Sequence, residues 1–142
     1  MDWFYLFDGF HGRISRKTFW IAMVIVAIAN YLACDLASYF QGDQLNAIVD
    51  LAFTYPEFAI AVKRGNDRDW PLWPIAIFFA SSLLLDLLSL LGLAGTDQAP
   101  STLAFAVAVP FSVLGIALLI ELGFRRGTVG PNRYGPDPLA KA

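Results

Sequence analysis

Three carboxylates, Asp35, Asp50 and Asp86, each interrupt an otherwise apolar run. An ionisable side chain in such a run is costly in hydrocarbon, so it marks a proton or ion site, or a partner that hydrogen-bonds it. Asp50 belongs to the series Asn46, Asp50, Thr54 and Glu57, whose spacings of four, four and three place them on one side of a helix. Asn30, Cys34 and Ser38 recur at four-residue steps with Asp35 flanking them, and Ser82, Asp86 and Ser89 form a third polar series. If the three faces converge, Asp35, Asp50 and Asp86 line an acidic pocket suited to protons or hard cations. The plainer reading is that these side chains hydrogen-bond across helices and hold a bundle together. Three carboxylates exceed what such bonding needs, and both readings stay open at this level.

The elements that must position them are four apolar runs. The chain has 142 residues, of which 57% are hydrophobic and only 15% charged. Its mean hydropathy is +0.56. A soluble domain needs about 25% charged residues to cover its surface, whereas a membrane span takes about 20 apolar ones. Helices are expected over about 19–40, 45–62, 72–94 and 103–124, giving an all-α integral membrane bundle in a single domain. The second run is the weakest, because it contains Asp50, Pro56 and Glu57. The first run is too long for the apolar part of a cleaved signal peptide and reads as a span. Counting about 1.5 Å per residue places Asp35, Asp50 and Asp86 all in the outer third of the bilayer.

Charge placement supports four crossings. All ten Lys and Arg fall in three segments: Arg13 to Lys17, Lys63 to Arg68, and Arg125 to Lys141. The connectors 41–44 and 95–102 carry none. Four spans put the three basic segments on one side, which the positive-inside rule makes cytoplasmic, with both termini. Residues 1–18 then form an interfacial N-terminal segment, 63–71 a cytoplasmic loop and 125–142 a cytoplasmic tail. Glu57 and Glu121 lie toward that side, where pairing with Lys63, Arg64, Arg125 and Arg126 offsets their insertion cost. Gly127 and Gly130 can end the last helix, and Pro131, Pro136 and Pro138 forbid its continuation. The tail is either solvated or docked; if docked, Asn132 to Pro138 lie on the loop Lys63 to Trp73, with Arg133 and Tyr134 meeting Asp67, Asp69 and Trp70.

The stretches "FHGRISRKTFW" (10–20) and "GPNRYGPDP" (130–138) resemble the small bacterial inner-membrane proteins of domain of unknown function family 805, the YhaH-like family. The resemblance rests on Phe10, Gly12, Arg13, Ser15, Arg16, Phe19 and Trp20, and on Gly127, Gly130, Asn132, Tyr134, Gly135, Asp137 and Pro138. The loop "VKRGNDRDWPLW" (62–73) matches the family at Lys63, Arg64, Asp67 and Trp73. It departs at Gly65, Asn66 and "WPL", with Asn66 standing where the family usually has His. The resemblance implies a four-helix inner-membrane protein and adds no reaction.

Composition excludes some functions. The net charge of −2 gives no basic face for nucleic acid. Cys34 is the only cysteine and His11 the only histidine, so no Cys/His metal cluster, cofactor motif or hydrolase signature is present, and no catalytic residue is assigned. The expected partners are the lipid bilayer and either a second copy of the chain or another membrane protein. The sequence favours a non-catalytic interaction or regulatory module built on the family-like cytoplasmic face. The alternative is a small cation- or proton-coupled transporter or channel using the intramembrane carboxylates.

Overall fold

Ser15 opens the first long helix: its hydroxyl oxygen accepts a hydrogen bond from the Thr18 amide (3.2 Å), the usual N-cap contact. That places the helix start at Arg16, three residues ahead of the apolar run. The computed structural model describes residues 3–40, 43–96 and 99–140, with backbone alone at 43 and 44. Lys141 and parts of both neutral connectors lie outside the described residues. A short helix α1 (Trp3–Phe7) is followed by α2 (Arg16–Phe40), α3 (Asp43–Asp67), α4 (Trp73–Leu90) and α5 (Thr102–Leu118), which ends in a π-turn over Leu119–Phe124. Four of these helical stretches are long and apolar enough to cross a membrane. Their outward surfaces are apolar, with Ile28, Leu36, Leu84, Val113 and Ile116 exposed, an arrangement that water penalises and hydrocarbon does not.

Successive long helices pack on one another, and the π-turn packs back against α2, bringing the end of the last helix onto the first. The core lies between them, built on Phe19, Ala22, Val26, Ile60, Ile75, Phe79, Leu118 and Leu122. Small residues such as Ala22, fully buried, let helix backbones approach closely.

Two further boundaries differ from the sequence expectation. Helix α3 continues through Lys63–Asp67, so half of the expected loop 63–71 is helix. Charged side chains do not end a helix when neighbours satisfy them, and all five of these residues are buried or flank buried ones. Helix α4 stops at Leu90 although apolarity continues to Ala94. Gly92 takes φ +69°, and the amides of Gly92 and Leu93 bond the carbonyls of Ser89 (2.9 Å) and Leu88 (2.8 Å), a Schellman cap. A two-residue hairpin, β1 (Gly95–Thr96) with β2 (Ala99–Pro100), follows it. Pro56 and Pro110 lie inside α3 and α5, as expected.

Candidate functional site

The two ends of the bundle carry different polar clusters. At the basic end, the last turn of α5 widens into the π-turn, and its carbonyls lose their helical partners. Five successive carbonyls are taken by side chains instead. Leu122 O accepts from Arg64 Nε (2.7 Å), Gly123 O from Trp20 Nε1 (3.0 Å) and Phe124 O from Arg16 Nη1 (3.0 Å). Arg125 O accepts from Arg64 Nη2 and Arg126 O from Arg68 Nη1. Cations at the negative end of a helix dipole are also favourably placed.

Asp67 is the centre of this end. Its carboxylate pairs with Arg64 on its own helix and with Arg13 (3.0 Å) from the N-terminal segment, all three side chains being almost fully buried. The Arg13 guanidinium also donates to the carbonyls of Gly130 (2.8 Å), Gly135 (3.2 Å) and Thr128 (2.8 Å) in the tail. The backbone carbonyl of Asp67 accepts from the Thr128 amide (2.8 Å). Asn132 donates to Asn66 O (2.9 Å), while the Asn66 amide donates to Phe10 O (2.9 Å) and Gly12 O (3.1 Å). A Cβ on Gly127 would collide with the Asp67 carboxylate, so only glycine lets the tail pass. Gly12, at φ +94°, lies under the Tyr5 hydroxyl, which accepts from the Arg13 amide (2.9 Å). Lys63 donates to the carbonyls of Tyr5 and Asp8 (3.1 Å). The tail folds over this knot through a tight turn in which Asn132 and Gly135 exchange backbone bonds. Asp137 closes it, accepting from the amides of Leu139 (2.9 Å) and Gly130 (3.0 Å), and these two bonds hold its carboxyl below the usual range. The space left beside Arg16, Arg64 and Asp67 is about 20 Å³, room for about one water.

Several expectations change here. The tail is docked, yet its anchors are Arg13, Asp67 and Asn132, with Tyr134 only half-buried and its ring beneath Arg133 (4.8 Å). Arg133 does pair with Asp69 (2.7 Å), at the exposed rim. Glu121 pairs with Arg68 and with Arg125 (3.1 Å). Lys63 and Arg64 bond backbone and Asp67 instead of the glutamates, and Arg126 offers its carbonyl while its side chain is exposed. Trp73 and Pro138 are exposed and outside the knot.

The second cluster lies toward the far end, between α2, α3, α4 and the hairpin. An open cavity of about 790 Å³ is lined by Asn46, Asp50, Asp86, Ser89 and Thr96, among others. A smaller one of about 210 Å³ shares Asp50 and Asp86 with it and adds Asn30, Thr54, Glu57 and Ser82. Asp50 Oδ1 accepts from Asn30 (3.0 Å) and from the Cys34 thiol (3.4 Å), joining α2 to α3. Asn46 donates to Ser38 Oγ (2.8 Å), and its own buried Oδ1, like Asp86 Oδ2, has no partner among the described residues. Phe111 lines the inner cavity and stacks on Phe78 (4.5 Å), and Phe79 meets Phe58 edge-on (5.1 Å).

Glu57 therefore faces the cavity with Asp50 and Asp86, and no ion pair forms at it among the described residues. Three residues from Thr54 it continues the polar face, while Lys63 points about 120° away. Asp35 is exposed and lines neither cavity. One residue past Cys34, it is rotated about 100° from the Asn30–Cys34–Ser38 face. The expected three-carboxylate convergence is thus replaced by Asp50, Asp86 and Glu57. Among the described residues, no group of three His, Cys, Asp or Glu stands close enough to hold a metal ion.

Comparison with known proteins decides the family. The family model described as "Protein of unknown function (DUF805)" matches residues 7–136. The chain belongs to the DUF805 family. It is 30% identical over 139 residues to the uncharacterized protein YiiR of Escherichia coli K12, covering 90% of this chain and 84% of that one. It is 24% identical over 149 residues to the inner membrane protein YhaH of the same strain, covering 97% of each. Identity to the inner membrane protein YhaI is 27% over 133 residues, with 92% of this chain and 86% of that one covered. No solved structure matches. With four helices able to cross a bilayer, this DUF805 protein is a multi-pass bacterial inner-membrane protein. The match takes in Arg13, Asp67, Asn132 and Gly135, the residues that tie its basic end together.

Proposed function

We propose that this DUF805 protein conducts or carries protons or small monovalent cations through its far-end cavity, with the basic end and both termini cytoplasmic. The observation that carries the reading is Asp86 Oδ2, buried beside an open polar cavity with no hydrogen-bond partner among the described residues. A carboxylate oxygen so placed needs water, an ion or a proton to offset its desolvation. Asp50 shares both cavities with it, and Glu57 extends the path inward. Two or three carboxylates with water suffice to relay a proton, whereas a resident divalent ion takes six or more oxygens. In this reading the rings of Phe58, Phe78, Phe79 and Phe111 are the barrier that closes the path toward the basic end, and Pro56 and Pro110 are next in sequence to Glu57 and Phe111. Helix bending at those prolines is the motion that would open it. Orientation follows from the basic segments, all of which gather at one end.

A non-catalytic interaction module is the second reading. Its support is the rim of the tail, where Arg126, Val129 and Leu139 border one shallow recess. The buried motif residues beneath are not available to a partner. Purified protein in liposomes loaded with a pH-sensitive dye, driven by a potassium diffusion potential, separates the two. We expect flux above protein-free liposomes, falling at least about tenfold in Asp86→Asn and Asp50→Asn, since each removes a relay group. Replacing the external cation tells protons from metal ions. Wild-type flux equal to that of empty liposomes would sink the transport reading and leave the module.

A further inference from the structure

Asp35 has no role in either cluster. Of the described carboxylates within the four spans whose side chains are placed, it is the one that is exposed. It stands five residues, about 8 Å, inside the end of α2, where a short carboxylate reaches headgroups poorly. Its neighbours on that face are Tyr31 and Tyr39, one turn to either side, 71% and 85% exposed. Neither phenol oxygen makes a hydrogen bond among the described residues. Leu32 and Leu36 beside them are exposed as well.

We propose that this face of α2 binds the same face of a second copy of the chain in a two-fold dimer. The face is self-complementary: it carries one acceptor and two donors, and a two-fold axis along the membrane normal brings each to the other copy at matching depth. Long helical side chains lean toward the N-terminus, so Tyr39 of one copy inclines to the level of Asp35 in its partner. A hydrogen bond from Tyr39 satisfies the carboxylate where lipid cannot. The leucines fill the remaining contact. The inference does not depend on the transport reading.

The test is disulfide cross-linking in native membranes, in a Cys34→Ser background, with single cysteines at Leu32 or Leu36 and, as a control face, at Val113. We expect a dimer band from the α2 positions and none from Val113. Single-molecule photobleaching in dilute liposomes then follows the wild type, Tyr39→Phe and Asp35→Leu. Tyr39→Phe, which keeps the ring, is expected to weaken dimerisation about tenfold through two symmetry-related bonds. Cross-linking at Val113 equal to that at Leu36, a monomer at every density, or an unchanged dimer in both variants would each overturn the proposal. A monomeric wild type that still carries flux would overturn it without touching the transport reading.

Discussion

The basic end and the far end of the bundle are both polar, and they handle polarity in opposite ways. At the basic end Arg13 and Arg64 are buried around Asp67, and every carbonyl from Leu122 to Arg126 has a side-chain donor. About 20 Å³ is left empty there. At the far end about 790 Å³ is open, and Asn46 Oδ1 and Asp86 Oδ2 find no partner among the described residues. Buried polar groups that are fully satisfied fix one arrangement, whereas unsatisfied ones hold free energy that a ligand, water or proton can release. The difference separates a joint from a site. The motif residues, Trp73 and Pro138 apart, belong to the joint.

The largest expected effect comes from breaking that joint. Asp67→Ala leaves Arg13 and Arg64 buried and facing each other, a loss of the order of 3–5 kcal/mol for removing one partner of a buried pair. A collapse in thermal stability in detergent, with the 125–140 tail becoming protease-sensitive, is the expected outcome. A variant that melts like the wild type would show that the knot does not hold the tail.

The opposite sign is expected at the far end. Asp86→Leu removes an unpaired buried oxygen and should raise stability, by up to about 1–3 kcal/mol, while abolishing flux. Thermal melts of the two variants side by side sharpen the comparison, since the sites are independent and their effects should add. If Asp86→Leu destabilises as much as Asp67→Ala, the two ends are alike and the distinction fails.

The smallest effect concerns Asp137. Its carboxyl titrates below the usual range because the Leu139 and Gly130 amides bond the charged form. A depressed folded-state pKa contributes stability above the unfolded value, near 3.9, that is lost as pH falls through the folded one. Tail protection from protease should therefore weaken only below about pH 4. Asp137→Ala should show the weakened protection already at neutral pH. Equal cleavage of both proteins across the range would remove Asp137 from the clasp.

Apolarity, run length and charge placement read the four helices correctly, because backbone in lipid must satisfy its own hydrogen bonds and a helix is the local way to do so. Those are properties of contiguous residues. The local signals also put Pro56 and Pro110 inside helices. They overran at Leu91 to Ala94, where hydrophobicity continues past a glycine that turns left-handed. They stopped short at Lys63 to Asp67, because a charged stretch looks like a loop until Arg13, Tyr5 and the tail carbonyls are present to receive it. The role of Asn66 could have been suspected from its place beside Asp67 in a family-like loop, but its partners are 54 and 56 residues away.

The sequence by itself determined which carboxylates lie in helices and how far along each helix they stand. Only the tertiary structure decided which of them share a cavity, because each residue turns a helix about 100° and neighbouring helices choose the rotation. Packing of α2 against α3 turned Asn30 and Cys34 toward Asp50 and, by the same rotation, turned Asp35 outward. Asp86 and Glu57 met Asp50 for the same reason, from positions whose spacing along the chain could not fix which way they faced.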